Sequence, residues 1–253
     1  MSDQYPSNLD QSSLASSSES DRRPIATRQK RWSQKTSHFL SQKNIQPNHI
    51  SVLGACFGIA AGCLFAFTGF AQSIEYLNIS AGSIAMRLLF LLGACCVQFR
   101  LLCNMFDGMV AIERGISSRI GAIFNEVPDR ISDIAILVGL GYAYQSSPTL
   151  GYVAAIMAIM TAYIRVMGKV AGGEKIQQHF SGWMDKSKRM FFVTTTTLWL
   201  VFIPTDWYFE FYHIGIIGWL LLFILIGCTT TSLRRLFLIM RDLRAIDLQE
   251  RNS

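Results

Sequence analysis

Six stretches of the chain, near residues 50–70, 84–110, 120–144, 149–169, 190–205 and 211–232, are apolar over about 20 residues each, the length a helix needs to cross a bilayer. The expected fold is all-α: a polytopic integral membrane protein with six transmembrane helices, the fifth being the shortest. Composition points the same way. With 51% hydrophobic and 16% charged residues, a net charge of +6 and a mean hydropathy of +0.30, the chain suits a membrane protein with basic rims better than a soluble domain. Gly54, Gly58 and Gly62 put a small-residue stripe on the first span that lets a neighbouring helix approach closely, and packing alone accounts for it. The six cysteines, Cys56, Cys63, Cys95, Cys96, Cys103 and Cys228, all fall inside apolar runs. None has metal-ligand spacing with histidine support, so they read as packing residues rather than disulfides or zinc ligands.

Residues 1–21 are serine-rich, acidic and poor in apolar side chains, which predicts a disordered tail. No apolar segment follows a charged start, so no secretory signal is expected. Residues 22–45 turn strongly basic, with Arg22, Arg23, Arg28, Lys30, Arg31, Lys35 and Lys43. Within them Trp32, Thr36, Phe39 and Leu40 recur at helical spacing opposite Lys30, Gln34 and Lys35, the pattern of an N-terminal interfacial amphipathic helix lying on anionic headgroups. A nucleic-acid-binding arm is disfavoured because the segment runs straight into a span, and no nucleic-acid partner is expected. Residues 46–232 are then the six-helix membrane domain and 233–253 a basic cytoplasmic tail. Apart from Arg100, the basic residues precede the first span, separate the second from the third, run from Arg165 to Arg189, or follow the sixth; only Arg87 falls on the other side. The positive-inside tendency therefore places both termini in the cytoplasm.

The segment from Asn104 to Asp133, NMFDGMVAIERGISSRIGAIFNEVPDRISD, puts five carboxylates beside or inside two of these spans. Ionisable groups at membrane depth point to a functional site. On the first helix Arg100, Asn104, Asp107 and Ala111 share a face; on the second, Gly121, Asn125, Asp129 and Asp133 recur every four residues, with Glu126 beside them. Two such faces turned together make a pocket of hard oxygen ligands, which is what Mg2+ or Mn2+ bridging a diphosphate requires.

These spacings resemble the signature of the CDP-alcohol phosphatidyltransferase family, DxxDGxxAR followed after a spacer by GxxxDxxxD. Asp107, Gly108, Ala111, Gly121 and Asp129 match it; Asn104, Ile112 and Asn125 stand where the family has aspartate, arginine and aspartate. The likeness runs from about residue 43 to 232. It includes Pro47-Asn48-His49-Ile50-Ser51 before the first span and the segment from Ser181 to Met190 after the fourth, and it is similar to a variant bacterial branch with N-x-x-DG and NE-x-x-D halves. The resemblance implies a membrane transferase of phospholipid biosynthesis. Such an enzyme moves a phosphoalcohol, for example phosphatidyl, from CDP-diacylglycerol or another CDP-alcohol to an acceptor hydroxyl and releases CMP. Mg2+ or Mn2+ is the implied cofactor, and a homodimer in the bacterial inner membrane, with a cytoplasmic active site, the implied setting. The acceptor alcohol is not legible.

By family position Asp107 is a metal ligand and Asp129 both ligand and general base. Asn104 and Asn125 would ligate through neutral amide oxygens. Glu126 and Asp133 are candidates to compensate for the two lost charges, Glu126 in the metal shell and Asp133 behind the base with Arg100; alternatively the site holds one metal. Asp133 has an equally good reading as an ion pair with Arg100 or Arg165. Gly108 and Ala111, by their small size, and Gly121 would let the nucleotide approach, and Asn48 lies near it by resemblance, although an asparagine beside proline also reads as a helix cap. Lys186 and Arg189, three apart after the fourth span, are candidates for a lipid or acceptor phosphate, with ordinary positive-inside topology as the other reading. Two further alternatives are a polyol phosphate acceptor and a catalytically inactive lipid- or nucleotide-binding scaffold, the latter motivated by Asn104, Ile112 and Asn125. A transporter would need broken helices in both halves, whereas the polar residues here form one block.

Overall fold

The computed structural model describes residues 30–43, 45–73, 83–115, 119–173, 182–203 and 214–252. The tail expected at 1–21, the basic residues Arg22, Arg23 and Arg28, and Ser181 lie outside the described residues. Within them every regular element is a helix: α1 Arg31–Gln42, α2 Pro47–Ser73, α3 Ile84–Glu113, α4 Arg119–Gly141, α5 Pro148–Gly172, α6 Lys186–Phe202 and α7 Ile216–Asn252. Four of these, α2, α3, α5 and α7, are long and apolar enough to cross a membrane. The other two long helices fall short of that measure for different reasons: α4 carries Glu126, Asp129, Arg130 and Asp133 in its body, and α6 has only 17 residues.

Local sequence sets the helix ends. Ser83 caps α3, its hydroxyl accepting from the Met86 N–H at 3.3 Å. Pro148 opens α5, where a missing N–H costs nothing. Asp185 caps α6 by accepting from the Lys188 N–H at 3.1 Å, which starts that helix directly at Lys186. The last helix continues past residue 232, where a tail was expected, through to Asn252. Residues 233–252 contain neither proline nor glycine and are rich in leucine, isoleucine and arginine, so nothing stops the helix. Arg87, the basic residue on the opposite side, donates to the carbonyls of Val201 and Ile203 at 2.7 and 2.8 Å and so satisfies the end of α6.

Helix α2 packs against both α3 and α4, α5 against α4 and α7, and α3 against α6. The seam between α2 and α4 is nearly bare backbone. A Cβ at Gly62 would lie 2.2 Å from the Ala135 carbonyl oxygen, one at Gly139 2.2 Å from the Gly62 oxygen, and one at Gly58 2.5 Å from the Ser132 Cβ. The glycine stripe is thus what permits α2 and α4 to touch. Helix α1 lies against the end of α3: Trp32 meets Phe106 edge-on at 6.1 Å, and Ser37 and His38 contact the two oxygens of Glu113 at 2.5 and 2.6 Å.

Paired charges are buried beside an apolar core that includes Phe65, Phe90 and Ile136, and large apolar side chains also face outward. The two bulkiest fully buried side chains are Arg100 and Arg189, while Leu88, Leu92, Ile156, Phe191 and Phe237 are exposed on the outer faces. Paired charge buried beneath an apolar exterior is the arrangement a hydrocarbon solvent selects.

Candidate active site in a cleft between three helices

A cleft lies where α2, α3 and α4 meet, walled by Ser51, Gly54 and Ala55 from α2, Arg100, Asn104 and Asp107 from α3, and Asn125, Pro128 and Asp129 from α4. The helical repeat explains the set. Asn104 and Asp107 are three apart, and Asn125 and Asp129 four apart, so each pair shares one face of its helix. Glu126, one position on, points about 100° away around α4. Its carboxylate pairs with Arg130 at 2.5 Å and Arg165 at 3.3 Å and is not part of the cleft wall. Pro128 sits inside α4 and has no N–H to give the carbonyl of Phe124, which breaks the backbone ladder beside Asn125 and Asp129.

Asp107 is held from two sides. Its Oδ2 accepts from the Ser51 hydroxyl at 2.6 Å and its Oδ1 from the Gly108 backbone N–H at 2.5 Å. Asp129 accepts from the Asn104 amide on Oδ1 and from the Lys186 ammonium on Oδ2. Arg100 Nη2 lies 3.5 Å from Asp129 Oδ1 and also donates to the Asp129 backbone carbonyl at 3.2 Å. One turn deeper, Asp133 is bound by Arg100 at 2.6 Å and by Arg189 at 2.7 Å, with Arg130 at 3.6 Å. Asp133, Arg100 and Arg189 each have 1% of the side chain exposed, so this is a dry ion-pair network. Among the described residues the Nε and Nη1 atoms of Arg100 have no hydrogen-bond partner.

The residues singled out in the sequence therefore divide. Asn104, Asp107, Asn125, Asp129 and Arg100 come together at the cleft. Lys186 reaches Asp129, whereas Arg189 is spent on Asp133; of the partners expected for that aspartate in its ion-pair reading, Arg100 meets it and Arg165 pairs with Glu126 instead. Gly108 touches the site through its backbone. Ala111 is a turn beyond Asp107, Gly121 a turn before Asn125, and Asn48 in the first turn of α2; none of the three lines the cleft. Ser51 had been seen only as part of the Pro47–Ser51 quintet. Its signal was its place one turn after Asn48, on the same helix face.

The donor chemistry fits a hard cation. Two carboxylates, two amide oxygens and a hydroxyl are donors of the type Mg2+ or Mn2+ takes, with the Arg100 guanidinium in the same wall. No group of three or more His, Cys, Asp or Glu suited to a metal occurs among the described residues, and in the cleft two carboxylates stand with amide and hydroxyl groups. The cavity itself measures about 10 Å³, room for one water-sized body.

A family model, CDP-alcohol phosphatidyltransferase, matches residues 44–231. The chain belongs to that family. Among curated CDP-alcohol phosphatidyltransferase relatives, the phosphatidylinositol phosphate synthase of Mycobacterium tuberculosis strain H37Rv is 31% identical over 109 residues, covering 41% of this chain. That match spans 48% of the synthase, about half its length. Inner membrane protein YnbA of Escherichia coli strain K12 is 26% identical over 154 residues, 61% of this chain and 67% of that one. Crystal structures of the M. tuberculosis synthase share the fold. The form with CDP-DAG bound has a TM-score of 0.61 at 20% identity, covering 81% of this chain and 92% of its own. The form in complex with manganese and citrate has the same score and identity, covering 81% and 88%.

Proposed function

We propose that this CDP-alcohol phosphatidyltransferase moves a phosphatidyl group from CDP-diacylglycerol to an acceptor hydroxyl and releases CMP, with Mg2+ or Mn2+ bound between Asp107, Asn104, Asn125 and Asp129. The observation that carries the reading is the pairing of Asp107 and Asp129 across one cleft, at the family's spacing, from two different helices. It is supported by the relatives' names and by the CDP-DAG and manganese complexes of the mycobacterial synthase.

When bound, the cation supplies neutralisation of the diphosphate and of the charge developing on the departing CMP oxygen. The chain's own residues do the rest. Ser51 and the Gly108 N–H fix the Asp107 carboxylate, and Asn104 and Arg100 fix that of Asp129. The acceptor oxygen forms a new bond to the lipid-bearing phosphorus, the bond from that phosphorus to the CMP oxygen breaks, and CMP leaves with the electron pair. The acceptor proton passes to Asp129, whose Oδ2 becomes free as Lys186 turns to the incoming phosphate oxygens.

Around this centre we place six spans, α2 to α7, with α1 at the cytoplasmic interface and the cleft opening to the cytoplasm. Exposed Trp32 and Phe39 on α1 support its interfacial position. The membrane domain covers residues 46–232, works as a homodimer in a bacterial inner membrane, and admits the nucleotide past Gly108, Ala111, Gly121 and Asn48.

The deciding experiment is CMP release by the purified full-length protein in detergent, with CDP-diacylglycerol, Mn2+ or Mg2+, and glycerol 3-phosphate, serine, inositol or inositol phosphate as acceptor. Acceptor-dependent release that a chelator abolishes is the expected result. Asp129→Asn should lower it by about 10²–10⁴-fold while retaining CDP-lipid binding; full activity of that variant would overturn the base assignment. Metal-dependent lipid binding without release would support the scaffold reading that Asn104, Asn125 and Ile112 motivate.

A further inference from the structure

Helix α1 packs against the end of α3 that carries the site. Trp32 meets Phe106, the residue before Asp107, and Ser37 and His38 hold the two oxygens of Glu113, the last residue of α3. Arg114, at the C-cap of α3, donates to the Ile45 carbonyl at 3.2 Å just past α1. These contacts bracket about two turns of α3, and Asp107 and Gly108 lie inside them. The docked face of α1 carries Ser33 and Ser37, both buried, so docking hides hydroxyls more than apolar surface. Trp32 and Phe39 stay 46% and 56% exposed, and a helix of 12 residues is marginal on its own. Glu113 is also badly placed by itself. A carboxylate at a helix C-terminus opposes the helix dipole, and the donors of α1 offset that.

The outward chemistry of α1 is definite. Arg31, Lys35, His38 and Gln42 recur at steps of four, three and four, so they share a face, and all are exposed. Trp32 and Phe39, seven apart, lie beside that face, and Lys43 follows at the C-cap. The helix, RWSQKTSHFLSQ, contains no acid. A cationic face flanking an aromatic one is complementary to a bilayer surface of anionic headgroups, with the rings at the acyl boundary and the cations at the phosphates.

We infer that α1 reads the charge of the bilayer surface and passes it to the cleft: anionic headgroups hold α1 down, and α1, through Phe106 and Glu113, holds the end of α3 on which Asn104 and Asp107 stand. This role rests on the interfacial placement of α1 and the transferase activity proposed above, and it makes turnover depend on lipid charge. Away from anionic headgroups α1 lifts, Glu113 loses the donors of Ser37 and His38, and the end of α3 frays back toward Asp107. Arg31 and Lys35 each strengthen attachment to an anionic surface by about fivefold.

The test reconstitutes the full-length protein in vesicles of phosphatidylcholine alone or of phosphatidylcholine and phosphatidylglycerol in equal parts, at fixed CDP-diacylglycerol and with the acceptors named above. CMP release is read alongside hydrogen exchange of residues 31–42 and 104–114 by mass spectrometry. Release should rise by about tenfold or more in the mixed vesicles, with exchange slowing in both segments together. Arg31→Gln with Lys35→Gln should lose most of that rise and of the protection in both segments. Glu113→Ala should keep the lipid-dependent protection of 31–42, while release and residues 104–114 cease to respond. Release that is equal in the two vesicles, that rises as much without Arg31 and Lys35, or that still responds in Glu113→Ala would overturn the inference and leave the transferase standing. Protection of 31–42 that never reaches 104–114 would do the same. Protection that follows lipid charge in both segments with no release in any vesicle would uphold the coupling of α1 to α3 and overturn the transferase. Neither response would overturn both.

Discussion

Ser51 places its hydroxyl 2.6 Å from the Asp107 carboxylate. Removing it leaves a buried acceptor short of a donor, which costs about 1–3 kcal/mol. Ser51→Ala should accordingly weaken Mn2+ binding and lower CMP release by about tenfold or more, with the fold kept, as thermal unfolding in detergent would report. Arg189 presents the opposite case. Its removal strands part of a buried ion pair, worth about 3–5 kcal/mol, so Arg189→Met should lower the unfolding temperature sharply whatever the acceptor. Glu126→Gln breaks only pairs that are partly exposed, worth about 0–1 kcal/mol; unchanged Mn2+ stoichiometry would place Glu126 outside the metal shell. The face that lines the cleft was legible in the sequence because Asn104, Asp107, Asn125 and Asp129 lie on consecutive helices at helical spacing. Lys186 and Arg189 could be marked as a basic pair but not assigned partners. They lie 57 and 56 residues from Asp129 and Asp133, and which acid each meets depends on how α6 sits against α3 and α7.

Among the elements, α2 and α4 form the scaffold of the site. Between helices in lipid the hydrophobic effect supplies little attraction, so close backbone approach has to do that work. Gly62→Val would push a side chain into the Ala135 carbonyl. The expected outcome is loss of both thermal stability and CMP release, because separating α2 from α4 pulls the Ser51 and Gly54 wall of the cleft away from Asn125 and Asp129; a stable, active variant would show that the seam does not set the cleft. The stripe was visible in the sequence and its partner was not, since any helix can accept a glycine face. The helical state of residues 233–252 was not legible for a related reason. Hydropathy marks where apolar sequence stops, whereas a helix stops only where its backbone is interrupted.

For the molecule as a whole, α2 has 27 residues and α4 23, about 40 and 35 Å of helix, while α6 has 17, about 26 Å against a hydrocarbon layer of about 30 Å. In the six-span arrangement a C-terminal fluorescent-protein fusion should glow and an alkaline phosphatase fusion stay inactive, both reporting a cytoplasmic end. The bare α2–α4 seam has a mechanical consequence. If α4 and α6 span as proposed, two helices locked backbone to backbone tilt together, so a thicker or thinner bilayer would be accommodated by leaning the pair, and the short α6, whose C-terminal end is tethered by Arg87, would take up the hydrophobic mismatch. Lengthening the acyl chains of reconstituted vesicles should then disturb the Lys186–Asp129 contact at the head of α6 before it disturbs the Gly62–Ala135 approach at the seam. Membrane thickness would then reach the cleft first through the Lys186–Asp129 contact.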